Sequence, residues 1–366
     1  MKLWISLFFL LIHSLAFANP EMIRHGYISC KACHFSARGS GLLSPYGKGI
    51  SKAFSMGGGE YKPGSIAKAI SFNGKMAHAL QMRGAGLVKK NPDESKIFPM
   101  QFDYLTRLEI SKGVSIDATL ARVPYNPPAL DHHTEDNFAT HFVFRKATVD
   151  IALDKKSSFS FGRDHLPLGI GLVDHTTYIK ERNRMGVTDF PTQGQLNFWS
   201  GQHQSTLLLF APSFQEAEGN GEFGLVAKTE TMVFKKLAVG ANILAGRTQS
   251  IERWQLGQFV RYSAFSTVFL FEFDYTVREL RATGKSFSQF AVFFRPRYYI
   301  KDYLYFGASF EHVSRKQQFK MEESKYGPSM GLKLSRNLVL EFDGRLTKRE
   351  KSDQKYAMAQ LYVNLW

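Results

Sequence analysis

From about residue 66 to Trp366 the chain alternates apolar and polar residues in strand-length runs, and no long helical periodicity interrupts them. The run after Thr267 is the clearest. Phe269, Phe271, Phe273, Tyr275 and Val277 alternate with Leu270, Glu272, Asp274, Thr276 and Arg278. Phe102, Tyr104, Thr106, Leu108 and Ile110 likewise oppose Gln101, Asp103, Arg107 and Glu109. Phe290, Val292, Phe294 and Tyr298 oppose Gln289, Arg295 and Arg297. Leu338, Leu340, Phe342 and Leu346 oppose Glu341, Asp343, Arg345 and Thr347. Because side chains alternate across a strand, each run has one apolar face and one charged face.

Two all-β architectures fit this pattern. A soluble antiparallel sheet turns its charged face to water, whereas a transmembrane barrel turns it to the lumen and the apolar face to lipid. About fifteen or sixteen runs would make a very large soluble sheet but an ordinary barrel. The 32 Phe and 15 Tyr supply the aromatic girdles a barrel needs, and many fall on the apolar faces. The last strand, Leu361 to Trp366, ends on an aromatic residue as outer-membrane barrels do. The expected fold is an antiparallel transmembrane β-barrel of sixteen strands, with fourteen as the alternative, because single-chain bacterial barrels use even numbers. The slightly negative mean hydropathy agrees, since half of every strand faces a polar interior.

The connections differ in length. Phe234-Lys235-Lys236 and Ser335-Arg336-Asn337 read as periplasmic turns. Tyr125 to Asn137 reads as a polar loop, and residues 164–200 as a longer one on the extracellular side or folded into the lumen. The longer loop holds His165 and His175 beside Asp164 and Asp174, a donor set suited to ferrous iron or another divalent metal. A solvated loop is the preferred reading of that stretch.

The N-terminus is of another kind. Lys2, the apolar run from Leu3 to Leu11 and Ala16-Phe17-Ala18 together read as a secretory signal peptide over residues 1–18. Residues 19–64 follow as a separate segment, and 65–366 as the barrel. That segment carries Cys30-Lys31-Ala32-Cys33-His34, and its two cysteines are the only two of the chain. The spacing is that of c-type haem attachment, in which the thiols add to the haem vinyl groups and the imidazole takes an axial position on the iron. A zinc site would want a second cysteine pair, and a thioredoxin-type pair would want a βαβ context; a plain disulfide stays open. Beyond the motif the segment is rich in Gly and Pro, with room for one or two helical turns around Ile50 to Phe54. So little apolar material cannot enclose a haem, which makes the barrel the expected packing partner and the segment a plug entering the lumen from the periplasm. The second axial position is open among Met22, His25, Met56 and His78. His25 is singled out because it lies just before the motif and His and Met are common sixth ligands.

The formal charge is +15 over the full chain, and removal of Lys2 with the signal lowers it by one. The basic residues are scattered without a stripe or a recognition motif, so nucleic acid is not an expected partner. Lumen-facing Arg107, Arg253, Arg261, Arg295, Arg297 and Arg345 are candidates to meet haem propionates, or to pair with Asp103, Glu109, Glu272, Asp274, Glu341 and Asp343 as in an ordinary porin lumen.

The haem motif, the stretch Gly41-Leu42-Leu43-Ser44-Pro45-Tyr46-Gly47 and a C-terminal barrel together resemble the fused monohaem cytochrome c–porins of bacterial outer membranes. That resemblance implies one covalent haem c on Cys30 and Cys33, with His34 as proximal ligand of the haem iron. It implies electron transport across the outer membrane between a periplasmic cytochrome or other redox carrier and an extracellular donor or acceptor, ferrous iron among them. An electron-transfer protein is expected rather than a conventional enzyme. A passive porin with a disulfide or a structural haem is the alternative, and a haem oxidoreductase or sensor on a barrel scaffold is a further one.

Overall fold

The computed structural model describes residues 20–36, 42–57, 75–90, 94–124, 140–172, 177–181, 190–212, 221–316, 320–335, 337–349 and 353–365. The signal-peptide expectation over 1–18, the Tyr125–Asn137 loop, and His175 with Asp174 lie outside these residues.

Sixteen antiparallel strands close into a barrel. In chain order they are β1 (Met76–Lys90), β2 (Glu94–Ser111), β3 (Val114–Pro124), β4 (Thr140–Ala152), β5 (Ser157–Arg163), β6 (Thr192–Trp199), β7 (His203–Ala211) and β8 (Phe223–Phe234). They continue as β9 (Leu237–Arg247), β10 (Ile251–Ala264), β11 (Thr267–Leu280), β12 (Ser286–Lys301), β13 (Leu304–Lys316), β14 (Lys320–Ser335), β15 (Leu338–Arg349) and β16 (Asp353–Leu365). Each strand pairs with its sequence neighbours, and β1 pairs with β16 from Leu80↔Leu365 to Lys90↔Lys355. Closure leaves no unpaired edge, the condition for a sheet to cross hydrocarbon. The strand number is sixteen rather than fourteen, and the first described strand begins at Met76.

The faces sort as the alternation requires. On β11, Leu270, Glu272, Asp274 and Thr276 are buried towards the lumen, while Phe271 and Tyr275 are exposed on the outer wall. On β10, Arg253, Gln255, Phe259 and Arg261 point inwards and Trp254, Leu256 and Tyr262 outwards. Tyr262 stacks on Phe269, and Phe269 on Phe294, at centroid distances of 6.0 and 6.5 Å. This row of rings crosses β10, β11 and β12 and forms part of an outer aromatic band. An exposed apolar wall on a closed sheet is a lipid-facing wall, so the chain spans a membrane as a barrel of the outer-membrane type.

The two ends are unequal. Lys112-Gly113, Lys235-Lys236, Phe265-Ser266 and Asp302-Tyr303 join strands by tight turns at one end, which is the periplasmic one in barrels of this kind. The β5–β6 connection at the other end does not stay in solvent. Gly169 N–H donates to Asn242 Oδ1 (2.9 Å), Ile170 N–H to Glu272 Oε2 (2.7 Å) and Tyr178 N–H to Glu311 Oε2 (2.7 Å). Lys228 Nζ donates to the Gly169 carbonyl. Wall side chains thereby satisfy loop backbone that would otherwise be buried unpaired. Leu168, Ile170, Leu172, Tyr178 and Ile179 are buried, so the solvated-loop expectation is corrected for the described part of this connection.

Candidate functional site at the periplasmic mouth

The N-terminal segment lies inside the tight-turn end of the barrel. It starts as a 3₁₀ helix, Pro20–His25, and reverses at Gly26, whose φ of +81° suits glycine. After extended Ser29 the chain makes a second 3₁₀ turn, Cys30–Ala32. Within it Cys33 N–H and His34 N–H both donate to the Cys30 carbonyl, at 3.1 and 2.9 Å. Cys30, Cys33 and His34 thus lie on, and directly after, one short turn. His34 then bridges to Leu43, and Phe35 N–H donates to Leu42 O at 3.1 Å.

A nine-residue helix, α1 (Pro45–Ala53), braces the motif from behind. Ser44 caps it by accepting from Gly47 N–H (3.1 Å), and Pro45 opens its first turn. The same Ser44 turns back to the motif: its backbone N–H and its hydroxyl both donate to the Cys33 carbonyl, at 2.9 and 3.2 Å. Helix and motif touch at Gly47, where a Cβ would run into the Cys33 carbonyl oxygen. The sequence placed this helix around Ile50 to Phe54; it begins five residues earlier because the Ser-Pro cap, and not the apolar run, sets its start.

The barrel wall holds this assembly from several sides. Glu21, 2% exposed, accepts from Arg297 Nη1 (2.6 Å) and from the Tyr299 hydroxyl (2.5 Å). Arg261 donates to the Ile28 carbonyl (2.9 Å) and the Pro20 carbonyl (3.3 Å) while paired to Glu230. Arg24 pairs with Asp302 (2.7 Å) and lies 3.9 Å from the Tyr299 ring centroid. Lys333 donates to the Ser51 carbonyl and hydroxyl, and Met56 and Gly57 N–H extend the pairing to Lys333 O and Leu334 O, both at 3.1 Å.

Apolar contacts complete the seat. Ile23 and Ile28 join Ile170, Leu172, Tyr178 and Ile179 of the inward loop and wall residues Phe259, Val268, Leu270 and Phe293 in one cluster. Plug and loop therefore meet inside the lumen. Leu42 packs with Phe35 on Ala79 and Leu105. Each fully buried aliphatic side chain of this kind contributes about 1.5–3 kcal/mol.

Both cysteines are free thiols. Burial pushes the Cys30 thiol up, with Arg261 and Lys228 opposing, and burial together with Cys30 pushes Cys33 up. Both are protonated thiols at neutral pH. Among the described residues no three His, Cys, Asp or Glu side chains converge where one metal ion could sit. Cys30, Cys33 and His34 thus do not form a zinc-type cage. Two thiols and an imidazole within five consecutive residues do keep the spacing that covalent haem attachment with an adjacent axial imidazole would use.

His25 stacks on Phe54 at a centroid distance of 4.1 Å, with Nε2 3.7 Å from Asp302 Oδ1. Burial first, and then Arg24, lower its pKa to about 4, so the ring is neutral. His78 is placed differently from the expectation that it reaches inwards. Its neighbours Ala77 and Ala79 face the lumen beside Phe35 and Leu42, so strand alternation turns His78 to the outer face. His165 packs edge-on against Phe190 at 4.2 Å.

The arginines proposed for a propionate role all face inwards, and all have protein partners. Arg107 pairs with Asp117 (2.9 Å), Arg253 with Glu222 (2.7 Å), Arg261 with Glu230 and Arg345 with Glu311 (3.7 Å). Arg261 and Arg297 hold the plug itself.

No protein-family model matches the chain, and no curated protein matches its sequence. Solved structures do match it. The loop L8 deletion mutant of OmpT, an outer-membrane protein of Vibrio cholerae, superposes with a TM-score of 0.65 at 8% identity, over 80% of this chain and 99% of that one. An anion-selective porin from Comamonas acidovorans gives 0.61 at 8% identity, over 79% and 99%. The outer-membrane channel DcaP of Acinetobacter baumannii gives 0.59 at 11% identity, over 79% and 97%. The chain has the outer-membrane porin fold. Within that fold it carries a motif-bearing segment packed against an inward loop.

Proposed function

We propose that this porin-fold barrel is an outer-membrane electron conduit that carries one haem c on its N-terminal plug. The observation that carries the reading is the seating of the C-x-x-C-H turn inside the periplasmic mouth, with the thiols of Cys30 and Cys33 free and His34 next to Cys33 in the chain. Each S–H would add across a vinyl group, the sulfur bonding to carbon and the proton going to the adjacent carbon, so that two thioethers form without an oxidant. His34 would supply the proximal ligand to the iron, and neutral His25 is the candidate for the other side. A haem so held supplies one-electron chemistry that no side chain of the chain offers.

The residues of the chain supply position and insulation. A hydrocarbon layer of about 30 Å has no redox centre of its own, and a group held in the lumen shortens that gap. Glu21, Arg24, Arg261 and Lys333 fix the turn to the wall, so the attachment point keeps one distance from the membrane plane. The apolar contact of Ile23 and Ile28 with the inward loop keeps water from the interior side of the turn. Exclusion of water and the lowered dielectric are levers on reduction potential.

A passive channel is the second reading, favoured by the likeness to porins. One gel separates the two. Haem staining of the purified barrel after denaturing electrophoresis should give a band that Cys30→Ala/Cys33→Ala abolishes. A well-expressed, unstained wild type would leave the passive channel.

A further inference from the structure

We infer that the tight-turn mouth of the barrel is a docking surface for a soluble protein with an acidic face. The partner's redox character rests on the proposed conduit function; the surface itself is read from charge and exposure.

Exposed lysines outnumber exposed acids at this mouth. Among the described residues Lys75 precedes β1, Lys112 lies in the β2–β3 turn, Lys155 and Lys156 in the β4–β5 turn, Lys235 and Lys236 in the β8–β9 turn, and Lys301 at the β12–β13 turn; all are exposed. Sequence-order pairing around a closed barrel spreads these turns around the circumference, so the lysines ring the opening. The exposed acids at this end are Glu109, Asp154 and Asp302, and Asp302 is neutralised by Arg24 at 2.7 Å. The opposite mouth also carries exposed lysines, among them Lys90, Lys285, Lys316, Lys348 and Lys355, and pairs several of its arginines. There Arg247 and Arg281 share Glu252 at 3.8 Å each, Arg253 takes Glu222 at 2.7 Å and Arg349 takes Glu323 at 3.2 Å. Lysines spread around an opening sum to a field that steers an acidic partner.

Inside the ring the exposed surface is apolar. Tyr46 (52% exposed) and Met56 (54%) flank the outward side of α1, where Gly49 and Ala53 are also exposed. This patch belongs to the plug, within the circle of strands, where bilayer lipid does not reach. A small apolar centre with a charged rim is the layout of weak, fast encounters between soluble proteins, in which rim charge sets the on-rate. Anionic headgroups would account for lysines on the turns; they would not account for the apolar centre. The helix that carries this centre is the one braced against Cys33, so a partner seated there comes against the back of the motif.

The test uses the full-length mature barrel in nanodiscs of zwitterionic lipid. The acidic haem domain of cytochrome b5 serves as probe and basic mitochondrial cytochrome c as control, at about 0.01 M salt, where the screening length of about 30 Å spans the mouth. The acidic probe should bind and the basic one should not. Lys155→Glu/Lys235→Glu/Lys236→Glu should weaken binding at least about tenfold. Lys285→Glu/Lys316→Glu/Lys348→Glu, which makes the same change in net charge at the other end, should leave it unchanged. Met56→Ser should weaken it without altering its salt dependence. Equal binding by the two triple variants, or none by the acidic probe, would overturn the inference. So would loss of binding when anionic lipid replaces zwitterionic lipid, because the lysines would then serve headgroups. Cys30→Ser/Cys33→Ser should bind the probe as wild type does, so failure of haem attachment and failure of docking read out separately.

Discussion

Glu21 and Arg297, 276 positions apart in the chain, form a buried ion pair at 2.6 Å that joins the N-terminal segment to the barrel wall. The Tyr299 hydroxyl gives the same carboxylate a second donor at 2.5 Å, so both of its oxygens are engaged. Pairs of this kind contribute little net stability when intact, yet removing one partner costs about 3–5 kcal/mol because the other charge is left buried.

Glu21→Ala is therefore expected to unseat the plug without unfolding the barrel. The segment before Phe54 should become sensitive to protease added on the periplasmic side, and single-channel conductance in planar bilayers should rise. Heat-modifiable gel migration, which reports the closed sheet, should stay as in wild type. A conductance equal to wild type would show that the ion pair does not hold the plug.

Two glycines of α1 form a matched pair of opposite expectation. Gly47→Ala drives a methyl group into the Cys33 carbonyl, so either the helix or the motif turn must shift. Gly49→Ala meets nothing within 4 Å and removes a flexible residue from a helix, a gain of roughly 0.5–1 kcal/mol. Haem-stain intensity per barrel should fall sharply in the first and hold in the second. Equal staining would separate the brace from the attachment chemistry.

The seating should depend on pH through His25. Its pKa is lowered from the ordinary 6.5 to about 4 in the folded protein, chiefly by burial. The released segment therefore binds the proton more readily, and the seated state loses stability as pH falls from about 6.5 towards 4. Above 6.5 this contribution is fully present. Protease release of the segment should increase over that window, and His25→Ala should remove this part of the dependence. A wild-type profile flat between pH 7 and 4 would count against it.

The inward loop has its own pin. Gly169 has a φ of +57°, and a side chain there would collide with the Glu272 carboxylate that accepts from Ile170 N–H. Gly169→Val should displace the loop from the wall of β11, raising conductance and loosening the plug that packs on it through Ile23 and Ile28. Conductance combined with protease sensitivity distinguishes a moved loop from a lost plug.

The barrel was legible because each strand reports its own geometry. Phe269, Phe271, Phe273 and Tyr275 read as an outer face without knowledge of any partner strand, and the structure places them there. The apolar lumen wall was written less openly. Val268 and Leu270 sit on the polar face of β11 and break its alternation, and that break is the mark of the plug's seat. The loop after β5 read as extracellular or folded into the lumen, and its polar composition favoured solvent; the acceptors that draw it inwards, Glu272 and Glu311, lie more than a hundred positions away. Glu21 and Arg297 carried no local signal at all; only closure of the barrel brings them together. The Ser44-Pro45 cap, by contrast, was present in the sequence and would have set the start of α1 correctly.

The plug's anchors also impose an order in time. Residues 20–57 leave the export channel first, yet Arg297, Asp302 and Lys333, which grip Glu21, Arg24 and Ser51, lie in the last strands to emerge. The seat does not exist until most of the sheet has assembled. Until then Cys30 and Cys33 belong to an open peptide; once β12 to β14 are in place they are held, partly buried, at the wall. The haem attachment proposed above would thus fall before the seat is assembled, while both thiols are still on an open peptide.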